Sequence, residues 1–245
     1  MKKILTYIFC SLVLLSSQSY ANSIDTSSSL SLKLWYQDKT LNFPDATRLG
    51  SALLTSQTHG LVYEYPLATS IFDESEPARA KIANLKYSVL YSLIELDLAD
   101  HPLYKFIESQ QFGKRVVSNV DIDNVRLQNK ENPLLSGNYS LASPKRTDIV
   151  WLLGDIRYTQ SFKRLTRLPF EEQKASISKI IGKKINSIVL IYPDGHTVKP
   201  EIGYWLNNQY YIPPMTIIYV PFDHNDASTL NNNIIKLLTS LKMPQ

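Results

Sequence analysis

Between Pro77 and Gln111 the chain has no glycine, and its apolar residues recur at helical spacing. Ile82, Leu85, Val89, Leu93 and Leu96 share one stripe, widened by Leu90 and Ile94. Asp100-His101-Pro102 breaks the pattern, and Leu103, Phe106 and Ile107 resume it on a shorter helix. So short a break predicts a helical hairpin, over 75–112. The frequent Ala, Leu, Lys, Ile and Glu of this stretch suit helices. Around it the chain reads mainly as short strands with single helices among them, which makes the fold class α+β.

Leu30, Leu32, Leu34 and Tyr36 alternate with polar residues as a half-buried strand does, and Thr40 to Phe43 can return as its hairpin partner. Pro44-Asp45-Ala46 is expected to open a short helix carrying Leu49, Leu53 and Leu54, and Leu61 to Tyr65 to form a strand closed by Pro66. After the helical block, Val116-Val117, Val125 to Leu127 and Tyr139 to Leu141 are strand candidates. Ser143-Pro144-Lys145-Arg146 lacks a large apolar side chain and marks the expected boundary between domains over 30–144 and 145–224. Beyond it come a strand at Ile149 to Leu153, a helix at Glu171 to Ile181, and a strand at Ser187 to Tyr192. Pro193-Asp194-Gly195 turns that strand toward Thr197-Val198, and Thr216 to Val220 closes the domain. Short strands around one helix thus occur twice, as expected of two small domains of one type. In 225–245, Leu230, Ile234, Leu237 and Leu241 make the apolar face of an amphipathic helix, with Asn231, Asn232, Lys236 and Thr239 off it. That stripe must be covered, and the protein's own body is the expected cover.

The first 21 residues read as a secretory signal: Lys2-Lys3, an apolar run from Ile4 to Leu15, then Ser19-Tyr20-Ala21 with cleavage expected after Ala21. Asn22 to Ser29 is a Ser-rich stub, expected to be disordered. The expected location is the periplasm. The sole cysteine, Cys10, lies in the apolar run, so the mature chain has neither a disulfide nor a thiolate site. Losing Lys2 and Lys3 lowers the formal charge from +4 to +2, and the remaining basic residues are dispersed, which argues against a nucleic-acid partner.

Chemistry-bearing patterns are few. His59, His101, His196 and His224 have no metal-ligand spacing, and no GxSxG elbow or phosphate-cradling loop is present. No cofactor or metal is expected. Asp121 and Asp123, two apart, would share a face of a strand with carboxylates roughly 5–7 Å apart, a glycosidase-like separation. The same Asp-x-Asp in a turn would instead hydrogen-bond its own backbone. Tyr63, Tyr65, Tyr204, Trp205, Tyr210 and Tyr211 cluster near turns; such rings suit sugar faces and protein interfaces, as well as packing within a sheet.

Three ordered stretches carry a resemblance: GKRVVSNVDIDNVRLQNKENPLLSGNYSL from Gly113, TDIVWLLGDI from Thr147, and NSIVLIYPDGHTVKPEIGYWLNNQYYIPPMTIIYVPF from Asn186. Together the chain resembles the GfcC-type capsule biosynthesis proteins of Gram-negative bacteria. The resemblance implies two β-grasp domains with the helical hairpin inserted in the first and an amphipathic C-terminal helix. It also implies a non-enzymatic periplasmic accessory role in capsule or exopolysaccharide assembly. The implied partner is the polysaccharide itself or the outer-membrane export channel, whose Wza-type members contain similar modules. Arg115 matches the family's cleft-lining arginine, and Asp121, Asp123 and Arg126 match its D-x-D-x-V-R; Lys114 stands where a member of the family has glycine. The expected ligand-binding residues are Arg115, Asp121, Asp123, Arg126, Tyr204 and Trp205. Arg115 is expected to be exposed beside the helix–strand junction, or else to pair with Asp121 or Asp123. The rival expectation is a glycan-processing enzyme using Asp121 and Asp123.

Overall fold

The computed structural model describes residues 29–158, 160–163, 169–182, 187–200, 209–223 and 227–244. The signal segment and most of the stub lie outside them. Two five-stranded sheets organise the chain. The first contains β1 (Leu30–Leu34), β2 (Lys39–Phe43), β4 (Ser70–Asp73), β5 (Lys114–Ser118) and β7 (Gly137–Ala142), in the order β2-β1-β7-β4-β5. The second contains β8 (Ile149–Gly154), β9 (Gln160–Lys163), β10 (Val189–Ile191), β11 (Thr197–Val198) and β12 (Ile217–Val220), in the order β9-β8-β12-β10-β11. The two orders are equivalent. Each sheet opens with an antiparallel hairpin whose first strand pairs in parallel with the last strand of the set. The remaining two strands follow, antiparallel, on the far side. A helix follows each hairpin: α1 (Leu49–Thr58) and α5 (Phe170–Ile181). A small ribbon of β3 (Thr47–Arg48) with β6 (Leu134–Leu135) lies apart from both sheets.

Between β4 and β5 the chain forms α2 (Glu76–Glu95) and α3 (Pro102–Ser109). Each begins with proline in its first turn, where the missing N–H costs nothing. His101 caps α3, its Nδ1 accepting from Leu103 N–H at 3.2 Å. The last helix is α6 (Ala227–Leu238).

Side-chain alternation explains the apolar runs of the second sheet. Val150, Leu152, Leu190, Ile218 and Val220 face a core shared with Phe170 and Ile177 of α5. Leu153, Val189, Ile191, Ile217 and Tyr219 face the other way, into a core with Val89, Leu93, Leu103 and Ile107 of the α2/α3 pair and Ile234, Leu237 and Leu238 of α6. A strand buried on both faces needs no polar alternation. The first sheet buries Leu30, Leu32, Leu34, Ile71 and Leu141 with Leu49, Ala52 and Leu53 of α1. Gly154 ends β8 with φ +105° where β12 crosses so closely that a Cβ would stand 2.0 Å from the Val220 carbonyl oxygen.

Three local expectations are corrected. Leu61 to Tyr65 is not a strand: Leu61 N–H is held by Ser56 O at 3.0 Å, and the Tyr63 hydroxyl meets Ser56, so the segment wraps α1 with no strand beside it. Its apolar alternation reflects packing, with Leu61 and Tyr63 on the first core and Tyr65 on the second. The first helix starts at Leu49, not at Pro44, because its opening N–H groups are satisfied from afar: Leu49 by Pro133 O at 2.9 Å, Gly50 by Asn132 Oδ1 at 2.8 Å. Val125 to Leu127 belongs to α4 (Ile122–Leu127), a one-turn helix nucleated by Asp121 as its N-cap.

Candidate functional site

β5 carries Arg115 on the face of the first sheet that turns away from α1, beside Ser70 and Phe72 of β4. Its guanidinium carbon lies 5.0 Å from the Phe72 ring centroid. Nε donates to Thr239 O at 3.1 Å and Nη2 to Leu241 O at 3.0 Å, while Nη1 donates to the Ser70 hydroxyl. The half-buried arginine therefore grips the chain that leaves α6. Burial pulls its pKa down to about 10, against the upward pull of Asp194 and Tyr36. The expectations of an exposed Arg115, and of a pairing with Asp121 or Asp123, are corrected. Its partners are carbonyls more than a hundred residues ahead, and no local pattern signals them.

That terminal segment is a strap. Gly113 N–H binds Ser240 O and Lys242 N–H binds Gln111 O, each at 2.9 Å, forming a bridge between Phe112 and Leu241. Lys242 is buried: its Nζ lies 2.5 Å from Glu74 Oε1, 3.1 Å from Ser140 Oγ and 3.7 Å from the Trp35 ring centroid. Burial lowers its pKa, and the Glu74 carboxylate works against that. The Tyr36 hydroxyl donates to Met243 O. The strap thus ties α6, which packs on the second sheet, to the first. Leu230, Ile234, Leu237 and Leu241 are all buried by this arrangement, so the protein's own body covers the stripe.

Where strap, α2, β5 and the Pro193–Gly195 turn meet, they enclose a cleft of about 460 Å³. Lys81, Ile82 and Leu85 come from α2, Lys114 and Arg115 from β5, Asp194 and Gly195 from the turn, and Lys236, Thr239 and Ser240 from α6 and the strap. Gly195, at φ +85°, sits so near the strap that a Cβ there would stand 2.9 Å from Thr239 O. Four cations face one acid in this lining. Lys114 is ion-paired with Asp73 at 3.1 Å, and Asp194 accepts from His196 N–H at 2.9 Å.

The other expected residues lie elsewhere. Asp121 Oδ1 accepts from Asp123 N–H at 2.8 Å and Asn124 N–H at 3.3 Å, so the Asp-x-Asp is a helix cap and not two side chains on one strand face. Asp121 borders a separate cavity of about 170 Å³ with Ser118, Asn124 and Glu131, and Arg126 is exposed at the end of α4. None of Asp121, Asp123 and Arg126 lines the cleft. Tyr204 and Trp205 lie outside the described residues. Sequence reasoning missed Lys81, Ile82, Leu85 and Lys236, because α2 and α6 come together only in the folded chain. Among the described residues no three His, Cys, Asp or Glu are grouped to hold a metal, and no helix is long and apolar enough to cross a membrane.

The elements that build the second half of this cleft coincide with a known family. Residues 174–244, from α5 through the strap, match the family described as capsule biosynthesis GfcC C-terminal. Over that stretch the chain is similar to the GfcC-type capsule biosynthesis family. It is 30% identical over 159 residues to the "Uncharacterized protein YjbG" of Escherichia coli (strain K12), over 60% of this chain and 61% of that relative. The match to YjbG thus spans less than two thirds of its length. The family match takes in Asp194, Gly195, Lys236, Thr239 and Ser240, so one wall of the cleft and the strap are family territory, while α2 and β5 supply the other wall.

Proposed function

We propose that this protein is a non-enzymatic accessory protein of capsule or exopolysaccharide assembly, exported to the periplasm, and that it binds glycan in the cleft between α2, β5, the Pro193–Gly195 turn and α6. In this reading the two sheets are two β-grasp units, the α2/α3 pair is an insert in the first, and the strap fixes their relation. The equivalent strand orders support the duplication, and the family match supports the pathway.

The cleft carries the reading. Its volume of about 460 Å³ falls within the range of about 300–1,000 Å³ common to ligand sites. Its lining combines an apolar strip, Ile82 and Leu85, with cationic and hydroxyl-bearing side chains. A pyranose has the same composition, an apolar face of C–H groups and a polar rim. Hydrolysis is less well served, since glycosidases need two opposed carboxylates and this lining supplies only Asp194, already engaged with His196. Lys81→Glu with Lys236→Glu, in a host lacking the wild-type copy, is expected to reduce surface polysaccharide while the protein accumulates normally. Unchanged polysaccharide output would refute the reading.

A further inference from the structure

We infer that the cleft takes an anionic saccharide, a sugar whose ring bears a carboxylate or a phosphate. The inference rests on the glycan reading above and adds the charge of the ligand. Of the four cations in the lining, two are committed. Arg115 spends its Nε, Nη1 and Nη2 on the strap and Ser70, and Lys114 is held by Asp73. The other two, Lys81 and Lys236, are exposed and have no ion-pair partner among the described residues. They come from different walls, Lys81 from α2 and Lys236 from α6. Two ammonium groups lining one cleft repel each other until an anion joins them, and each brings three N–H donors and no acceptor. The single acid, Asp194, is close enough to Arg115 to raise its pKa and accepts from His196 N–H in the turn, and one carboxylate against the lining's cations leaves the cleft net positive. Ile82 and Leu85 then offer an apolar floor to the ring face while the lysines hold the charged substituent. Partial enclosure lowers the local dielectric and strengthens that attraction over its value in open water.

The test is titration calorimetry of the mature protein with a galacturonate trisaccharide, glucose 6-phosphate and maltotriose, matched in concentration and run at low and high NaCl. At least one anionic probe is expected to bind roughly five- to twentyfold more tightly than maltotriose, two exposed ion pairs being worth about that much. The advantage is expected to shrink as salt rises. Binding by the uronate alone or the phosphate alone assigns the anion; binding by both assigns the shared chemistry. Lys81→Gln with Lys236→Gln is expected to bring the anionic probe down to the neutral level, whereas Lys33→Gln, outside the cleft, leaves it unchanged. Equal binding of maltotriose, or an anionic affinity unmoved by the double variant, overturns the inference and leaves the glycan reading standing. Absence of binding by all three probes overturns both.

Discussion

Replacing Arg115 by alanine removes the fork that holds the strap. Three hydrogen bonds vanish, to Thr239 O, Leu241 O and the Ser70 hydroxyl, together with the stacking on Phe72. Bonds from a charged donor contribute about 1.5–3 kcal/mol each when desolvated. Arg115 is half-buried and borders the cleft, so water can reach part of what it leaves, and the sum is discounted to about 3–5 kcal/mol. For a chain of this size each kcal/mol lowers Tm by about 2–4 °C, giving a drop of roughly 6–20 °C. Arg115→Lys keeps the charge but not the planar fork, and is expected to recover less than half of the loss. Differential scanning calorimetry measures Tm. Hydrogen exchange locates the damage, with faster exchange of the Gly113 and Lys242 amides and little change in β8, β10 and β12. A variant melting within about 1 °C of wild type would refute the role assigned to the fork.

Lys242→Ala leaves the partly buried Glu74 without its cation, and is expected to cost about 1–3 kcal/mol in urea titration, with Glu74→Gln added in the same chain recovering part of it. Gly154→Ala, forced to hold φ +105° with its Cβ 2.0 Å from Val220 O, is expected to lose about 3 kcal/mol or more, or to fail to accumulate folded. Burial lowers the pKa of His101, with Asp155 and the Ile156 backbone pulling the other way. Between that lowered value and the ordinary one near about 6.5, the unfolded chain binds more protons than the folded one. Stability is therefore expected to fall as pH drops through about 6.5 and downward. The proton also displaces the Nδ1 lone pair that caps α3. His101→Asn keeps a cap acceptor without titrating, so its denaturation midpoint is expected to lose this part of the acid slope.

Strong periodic elements were legible in the sequence. The stripe through Val89 and Leu93 became α2, the break at Asp100-His101-Pro102 became the start of α3, and the face of Leu230, Ile234 and Leu237 became α6, which ends at Leu238 so that Leu241 falls in the strap and not in the expected helix. These are short-range signals, carried by the residues they order. What failed was set by distant contacts or by a cap: α1 starts where Asn132 and Pro133 allow it, and α4 forms because Asp121 satisfies two N–H groups. The candidate site follows the same division. Arg115 was found only through the family resemblance, and its partners in the strap are invisible in β5. Lys236 read as an off-face helix residue, which it is. That it lines the same cleft as Lys81 depends on the packing of α6 against α2, and no pattern in either segment encodes that meeting.

The central claim is that glycan is held between α2 and the strap. Backbone amide mapping by NMR, with oligosaccharides cut from the polysaccharide that the protein's own host exports, tests it most directly. The predicted result is a contiguous set of shifted amides at 81–86, 194–196 and 236–240, saturating with one affinity. Shifts confined to another surface would contradict the claim. The exposed ring pair of Tyr87 and Tyr91 on α2, stacked at 6.1 Å, is such a surface. An unchanged spectrum at millimolar oligosaccharide would contradict it as well.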